Sequence, residues 1–578
     1  MGKKIVHIVV FVVSVLALNY FSEKFFFRVD LTSEKRYSLS ENTKHLLSEL
    51  DEDLVVTIYL DGDLNSGFLR LRKATKELFE EFRAYAGEDV VYQFVNPSSA
   101  ATNSARDKKY EELEKKGMRG ILVHDKTQEG ESSQKVVFPW VELSYKGKNR
   151  VVNLLKNIPQ RSGEENLNSS IETLEYEITD ALRILTTVEI PKVAFLEGHG
   201  ELAEPFVYDI SRILSKYYQV DRGAIIDNPE ALFGYEALIV AAPTTTFSEK
   251  DKYALDQYIM QGGKVLWLID GAKISLDSLS TASQTVGVEN DLNLSDQLFK
   301  YGVRINADLV QDVQCVLIPV NMSRLGDAPK YEPMPWYYSP LVLAVPTHSV
   351  SKNLSPVKTE FVSSLSFVNP DLPVKKTPLL VTSTGTHIQN IPSIVSMDVI
   401  NVEKNGYYFN TRNAIVGAVL EGEFPSVFTN RMMPEGIKTE HKFLSQSKPT
   451  KMIVVADGDI IRNDIQGYGQ NMNVLPLGYD RYMNQQFGNS DFILNAVNYL
   501  TDDDGWMELR SREIKLRLLN RPAVIGQRTF WQMINVLLPL FFLAVFAALF
   551  LLIRKSKYTS SLKYSVQKEE KDSVEIKE

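Results

Sequence analysis

The sequence predicts an α/β ectodomain with a mostly parallel, doubly wound sheet, carried between one transmembrane helix at each end of the chain. Three observations predict it. Residues 530–553 (FWQMINVLLPLFFLAVFAALFLLI) run through the thickness of a bilayer core without a charged side chain. A second apolar run, residues 5–21, follows Lys3 and Lys4. Between them, short continuous apolar runs alternate with amphipathic helical stretches, the pattern of parallel strands covered on both faces.

Taken in order, Ser40 before Glu41 reads as an N-cap for a short helix with Leu46, Leu47 and Leu50 on one face. LVVTIYL (54–60), a helix over 68–85 and VVYQFV (90–95) form a βαβ unit, the start of a small α/β domain with a loosely thioredoxin-like order. No CxxC occurs in it, so redox chemistry does not follow. Residues 164–186 predict a connecting helix. VAFL (193–196) is a short strand ending in the turn EGHGE, followed by a helix over 205–217. ALIVAAP (237–243) and KVLWLID (264–270) are further buried strands, separated by a helix that Ser248 and Asp251 open and Gly262 and Gly263 close. The α/β character returns at MIVVADGD (452–459) and in a helix over 490–500.

The expected division is an anchor at 1–29, a small α/β domain at 30–160, a connecting helix at 161–190, and an α/β core at 191–505 with a β-rich insertion at about 271–450. A basic juxtamembrane segment (506–529), the transmembrane helix (530–553) and a charged cytoplasmic tail (554–578) complete the chain. A basic start before an apolar centre also fits a cleaved signal peptide, but bulky FSEKFFF stands where a small-residue cleavage site belongs, which favours an uncleaved anchor.

Lys3, Lys4, Arg554, Lys555 and Lys557 favour cytoplasmic termini and a periplasmic domain. Arg510, Arg512, Lys515, Arg517, Arg521 and Arg528 oppose this, and the first helix is taken to decide. The net charge is −9 and both ends are basic, so the middle is more acidic still and is a poor nucleic-acid binder. Cys315 is the single cysteine, which excludes an intrachain disulfide and a cysteine metal cluster, and its apolar setting reads as a buried structural thiol.

No GxxxxGK[ST], GxSxG or HExxH motif occurs, so P-loop, serine-hydrolase-elbow and zincin chemistries have no foothold. The densest constellation is Glu197-Gly-His199-Gly-Glu201 at a strand's carboxyl end, where α/β sheets collect ligands. Two carboxylates and an imidazole there could ligate a metal, contact a ligand or partner, or poise a base. Equally, the glycines make a tight βα turn and the side chains cap it. Asp270, Asp457 and Asp459 are placed on the same sheet edge as further ligand or partner candidates. No cofactor and no metal are expected.

Several stretches together carry a resemblance: RVDLTSEKRYSLSENT, LNSSIETLEYEITDAL, FLEGHGE, FSEKDKYALDQYIMQGGKVLWLID, AVLEGEFPSVFTNR, GNSDFILNAVNYL and the terminal apolar helix. In this order, over nearly the whole chain, the sequence resembles the gliding-motility-associated ABC transporter auxiliary (substrate-binding) protein of the GldG type. The resemblance implies an inner-membrane protein that works with a separate ATP-binding subunit and a multispan permease, and a core similar to the glutamine-amidotransferase-like fold. The nucleophile cysteine of amidotransferases is missing from the strand turn, so the expected function is a non-catalytic subunit binding a substrate or envelope protein. The alternative is a membrane-anchored hydrolase or transferase using Glu197, His199 and Glu201.

Overall fold

A computed structural model describes residues 38–100, 102–126, 132–158, 162–187, 189–225, 229–323, 328–397, 407–467, 472–511 and 526–575. Residues up to Ile514 form one compact unit and those from Lys515 onward another.

In the first unit, Ser40 caps α1 (Glu41–Ser48) by accepting the Thr43 N–H, as the Ser-Glu pattern predicts. Strand β1 (Leu54–Ile58), helix α2 (Ser66–Ala86) and strand β2 (Val90–Phe94) follow, and β1 and β2 pair in parallel. After α3 (Asn103–Lys115) and a hairpin of Ile121–Lys126 with Ser132–Val137, β3 (Trp140–Tyr145) and β4 (Lys148–Asn153) complete a sheet of order β2-β1-β3-β4. Helix α4 (Gly163–Thr186) opens with a full capping box between Ser162 and Glu165. It lays Leu174, Ile178, Leu182 and Leu185 on the core of this small sheet.

The large sheet begins with β5 (Lys192–Glu197), α5 (Glu204–Leu214), β6 (Gln219–Ala224), β7 (Ala237–Ala241), α6 (Glu249–Met260) and β8 (Lys264–Leu268). Helix α7 (Ser295–Tyr301) precedes β9 (Cys315–Asn321), β10 (Tyr331–Ala344), β11 (Val374–Val381), β12 (Ile415–Gly422), β13 (Thr450–Val455) and α8 (Asn489–Leu500). Ten strands align as β9-β10-β11-β12-β13-β8-β7-β5-β6, with the short strand Val357–Lys358 on β10.

Five neighbours, β6-β5-β7-β8-β13, run parallel. Helices α5 and α8 cover one face, setting Ile210, Leu214, Phe492 and Val497 against Phe195, Leu266 and Val455. Helices α6 and α7 cover the other, setting Leu255, Tyr258 and Tyr301 against Leu196, Val240 and Trp267. Burial from both sides is why β7 and β8 read as unbroken apolar runs.

Two parts of the expected fold class are corrected. The sheet is not mostly parallel: β12 pairs antiparallel with β13, and β11, β10 and β9 continue antiparallel to the edge. An inner antiparallel strand such as β12 is as apolar and buried as its parallel neighbours, so its sequence carries no sign of direction. The molecule is mixed α/β with several sheets, and not the mostly parallel, doubly wound, glutamine-amidotransferase-like sheet that was expected.

The expectation of a transmembrane helix at each end is also reduced. Among the described residues one helix, α9 (Arg528–Glu575), contains a stretch long and apolar enough to cross a membrane, Arg528–Ser556, none of it buried. The other proposed span, residues 5–21, lies outside the described residues.

Candidate functional site

In chain order the five parallel strands lie second, first, third, fourth, fifth across the sheet. The reversal point of such a sheet is the crevice between the carboxyl ends of the first and third strands, here β5 and β7, where α/β folds take ligands. The turn after β5 occupies it. Gly198 has φ +114° and Gly200 φ +71°, values open to glycine and strained for other residues, and they bring the chain round tightly enough to aim His199 inward.

His199 is 5% exposed. Its carbonyl accepts the N–H groups of Thr244 and Thr245 beyond β7, each at 2.9 Å. The ring stacks on Phe247 with centroids 3.6 Å apart and planes 7° from parallel. Nδ1 lies 3.2 Å from Glu201 Oε1 and Nε2 lies 3.2 Å from Asp251 Oδ2, while Glu201 Oε2 also accepts the His199 N–H at 2.7 Å. Burial works against the charged ring, but the two carboxylates outweigh it and hold the His199 pKa above its ordinary value. Asp251 is itself fixed by Ser248 Oγ at 2.6 Å, the residue that caps α6.

Glu197 points elsewhere. It accepts Arg222 Nε of β6 at 2.8 Å, and Arg222 Nη2 donates to the Leu202 carbonyl at 2.8 Å. The crevice is thus filled by the chain's own side chains, with His199 hydrogen-bonded to the segment after β7 and to the first turn of α6. A Cβ on Gly200 would stand 2.2 Å from Thr244 Oγ1, the hydroxyl that donates to the Gly200 carbonyl. Gly200→Ala is therefore expected to destabilise by about 2 kcal/mol, from left-handed strain plus that clash. Denaturant midpoints of the two proteins measure it, and equal midpoints would contradict the tight turn.

Asp270, Asp457 and Asp459 come together at the ends of β8 and β13, which are paired Leu268 to Val455. Asp270 Oδ1 accepts the Gly458 N–H at 2.6 Å. Gly458 is required there, since a Cβ would come within 2.5 Å of Ala242 Cβ and 2.8 Å of Asp270 Oδ2. Asp457 is fully buried and accepts the N–H groups of Glu360 at 2.9 Å and Asp459 at 2.8 Å. Arg462 donates to Asp459 at 3.2 Å. Among the described residues no hydrogen bond or ion pair joins this group directly to Glu197, His199 or Glu201.

Glu360 is the member that sequence reading does not find. It arrives from the long segment between β10 and β11, and nothing in PVKTEF marks it. Desolvation, then the Asp459 charge, pushes both Asp270 and Glu360 up to about 7. Desolvation, then Asp270 and Asp459, drives Asp457 well above the carboxylate range. Glu360, Asp459, Arg462 and Asp464 line an open cavity of about 180 Å³. The described residues contain no group of three or more His, Cys, Asp or Glu side chains disposed to hold a metal ion. Cys315 is buried in β9.

The family profile described as "ABC-type uncharacterized transport system" matches residues 190–496, the whole of the large sheet with α8 up to its last turn, and one described as a domain of unknown function matches residues 33–144. Among curated proteins, an uncharacterized protein of Borreliella burgdorferi is 20% identical over 513 residues, spanning 85% of this chain and 86% of that one. Among solved structures, the mmIFT52 N-terminal domain is 14% identical with a TM-score of 0.31, covering 54% of this chain and 98% of that one, a likeness too low to bear on the fold. With more than half of its length matched by the first profile, this chain belongs to the ABC-type uncharacterized transport system family, as an ABC transporter auxiliary protein.

Proposed function

We propose that the protein is a non-catalytic auxiliary subunit of an ABC transport complex of the gliding-motility kind, anchored in the inner membrane with its large domain in the periplasm and its basic tail in the cytoplasm. It works beside a separate ATP-binding subunit and a multispan permease, and its ectodomain contacts a substrate or an envelope protein. The observation that carries the non-catalytic reading is the closure of the β5 turn. Both ring nitrogens of His199 are engaged by carboxylates and the ring is buried, so none is left to take a proton from a substrate. Glu197 is likewise committed, to Arg222. A hydrolase or transferase built on Glu197, His199 and Glu201 therefore has no observation in its favour.

The carboxylate group of Asp270, Asp457 and Asp459 is the remaining candidate for ligand or partner contact, through Asp459 at the cavity it shares with Glu360. The one membrane-length apolar helix among the described residues suffices as an anchor and by itself makes a poor pathway. No P-loop is present in the sequence, so nucleotide hydrolysis falls to the separate subunit.

Protein tagged and solubilised from its native membrane is expected to bring a permease and an ATPase with it. ATP turnover should be found in that assembly and be lost from the isolated subunit. Recovery without an ATPase, or turnover that survives further purification of the subunit alone, would overturn the proposal.

A further inference from the structure

A second cavity, about 160 Å³, lies between α4 and the large-sheet domain and shares no lining residue with the first. Binding cavities favour such junctions between domains. One wall is α4, with Tyr176 and Asp180; the other is α8, with Asp491, Asn495 and Asn498; Arg510 closes one side.

The charges around it mostly cancel in pairs. Lys156 Nζ is 2.5 Å from Glu177 Oε1, and Asp180 is 3.2 Å from Arg183 Nη2. Among the charged side chains that line the cavity, one of each sign is left. Arg510 donates to neutral oxygens, the Asn495 side chain and the Lys352 carbonyl at 3.0 Å, and lies 5.3 Å over the Tyr176 ring. No acidic side chain among the described residues forms an ion pair with it. Asp491 is exposed and makes no hydrogen bond or ion pair with any described side chain. Asp491 and Asn495 are one helical turn apart on α8, so the guanidinium held by Asn495 stands about 6 Å along the wall from the Asp491 position.

We propose that this cavity binds a small zwitterion, a free amino acid or short peptide, with its carboxylate on Arg510 and its ammonium group towards Asp491. An Arg–carboxylate pair is the strong, orienting contact, and the second charge selects against simple anions. Elsewhere in the lining, Asn157, Thr173, Asn353 and Asn498 supply neutral hydrogen-bonding groups, and Ile158, Leu354 and Leu494 supply apolar surface, for the rest of the molecule.

Binding would be reported outside the cavity. Tyr176 stacks on Trp506 at 5.5 Å with planes 11° apart, and Arg183 lies 4.1 Å over the other aromatic partner, Trp506. Asp502 fixes the same segment by accepting the N–H groups of Gly505, Trp506 and Met507 at 2.7, 3.1 and 2.8 Å. A carboxylate on Arg510 therefore alters the surroundings of Trp506 through Tyr176.

The test is titration of the purified full chain in detergent with free amino acids and alanyl dipeptides, followed by calorimetry and tryptophan fluorescence. Acetate, ethylamine and glucose serve as singly charged and neutral comparators. At least one zwitterion is expected to bind saturably and the comparators not. Asp491→Asn, an exposed change that leaves folding intact, should weaken binding about tenfold, and Asp491→Lys should abolish it. Absence of binding by every zwitterion, equal binding by a comparator, or unchanged affinity in Asp491→Asn would each overturn the proposal. Co-isolation with an ATPase is read separately, so the subunit's place in a transport complex stands or falls on its own result.

Discussion

His199→Ala is expected to destabilise the large domain by about 3 kcal/mol, because it leaves a buried carboxylate without its charge partner. Glu201 has a side chain only 2% exposed, and its Oε1 faces the His199 ring and nothing else in the described hydrogen-bond network. Loss of the Phe247 stack removes about 1 kcal/mol more. The effect is pH-dependent with a definite sign. A His pKa raised in the folded state means that the charged pairing contributes fully below the ordinary value, near 6.5, and is lost as pH rises through the folded value. The gap between wild type and variant should therefore be widest at about pH 6 and narrow on the alkaline side. Urea unfolding at several pH values measures it. Equal stability at pH 6 would show that the turn does not depend on the imidazole.

Asp270→Asn is expected to act in the opposite direction, stabilising the protein at about pH 8 by a few kcal/mol. Asp270 and Glu360, each pushed to about 7, and Asp457, raised further, keep protons in the folded state that they release on unfolding. Raised carboxylate pKa values contribute stability that is complete below the unfolded values near 4 and is lost as pH climbs through about 7. The wild type should therefore weaken between pH 4 and 8 from this group. Asparagine keeps an acceptor for the Gly458 N–H while removing the like charge beside Asp457 and Asp459. A variant less stable than wild type at pH 8, with an unchanged pH slope, would show that the Asp270 charge is not under strain there.

Both effects arise on one sheet edge, yet their residues were legible to different degrees. Glu197, His199 and Glu201 stand together in the sequence, and the glycines between them announce a turn. That His199 would be held from its far side by Asp251, 52 residues on, is not visible there. Asp270, Asp457 and Asp459 follow apolar runs, so their place at strand ends could be read. Their mutual approach depends on β8 pairing with β13, and Glu360 enters from a loop with no periodicity to place it.

What the sequence determined by itself is local or apolar: the caps at Ser40 and Ser248, the buried strands β5, β7, β8 and β13, the helices that cover them, and the uncharged run within α9. These follow from hydrogen-bonding demands at helix ends and from the apolar area that both sheet faces must bury. Only the tertiary structure decided that β9 to β12 extend the same sheet antiparallel, because burial fixes a strand's composition and leaves its direction open. It alone decided that the crevice at the sheet's reversal point is filled by His199, since that rests on Phe247 and Asp251 reaching it across a separate strand and helix. The same holds for the unpaired Arg510 and Asp491: each is an ordinary charged residue in the chain, and only packing shows which charges found partners.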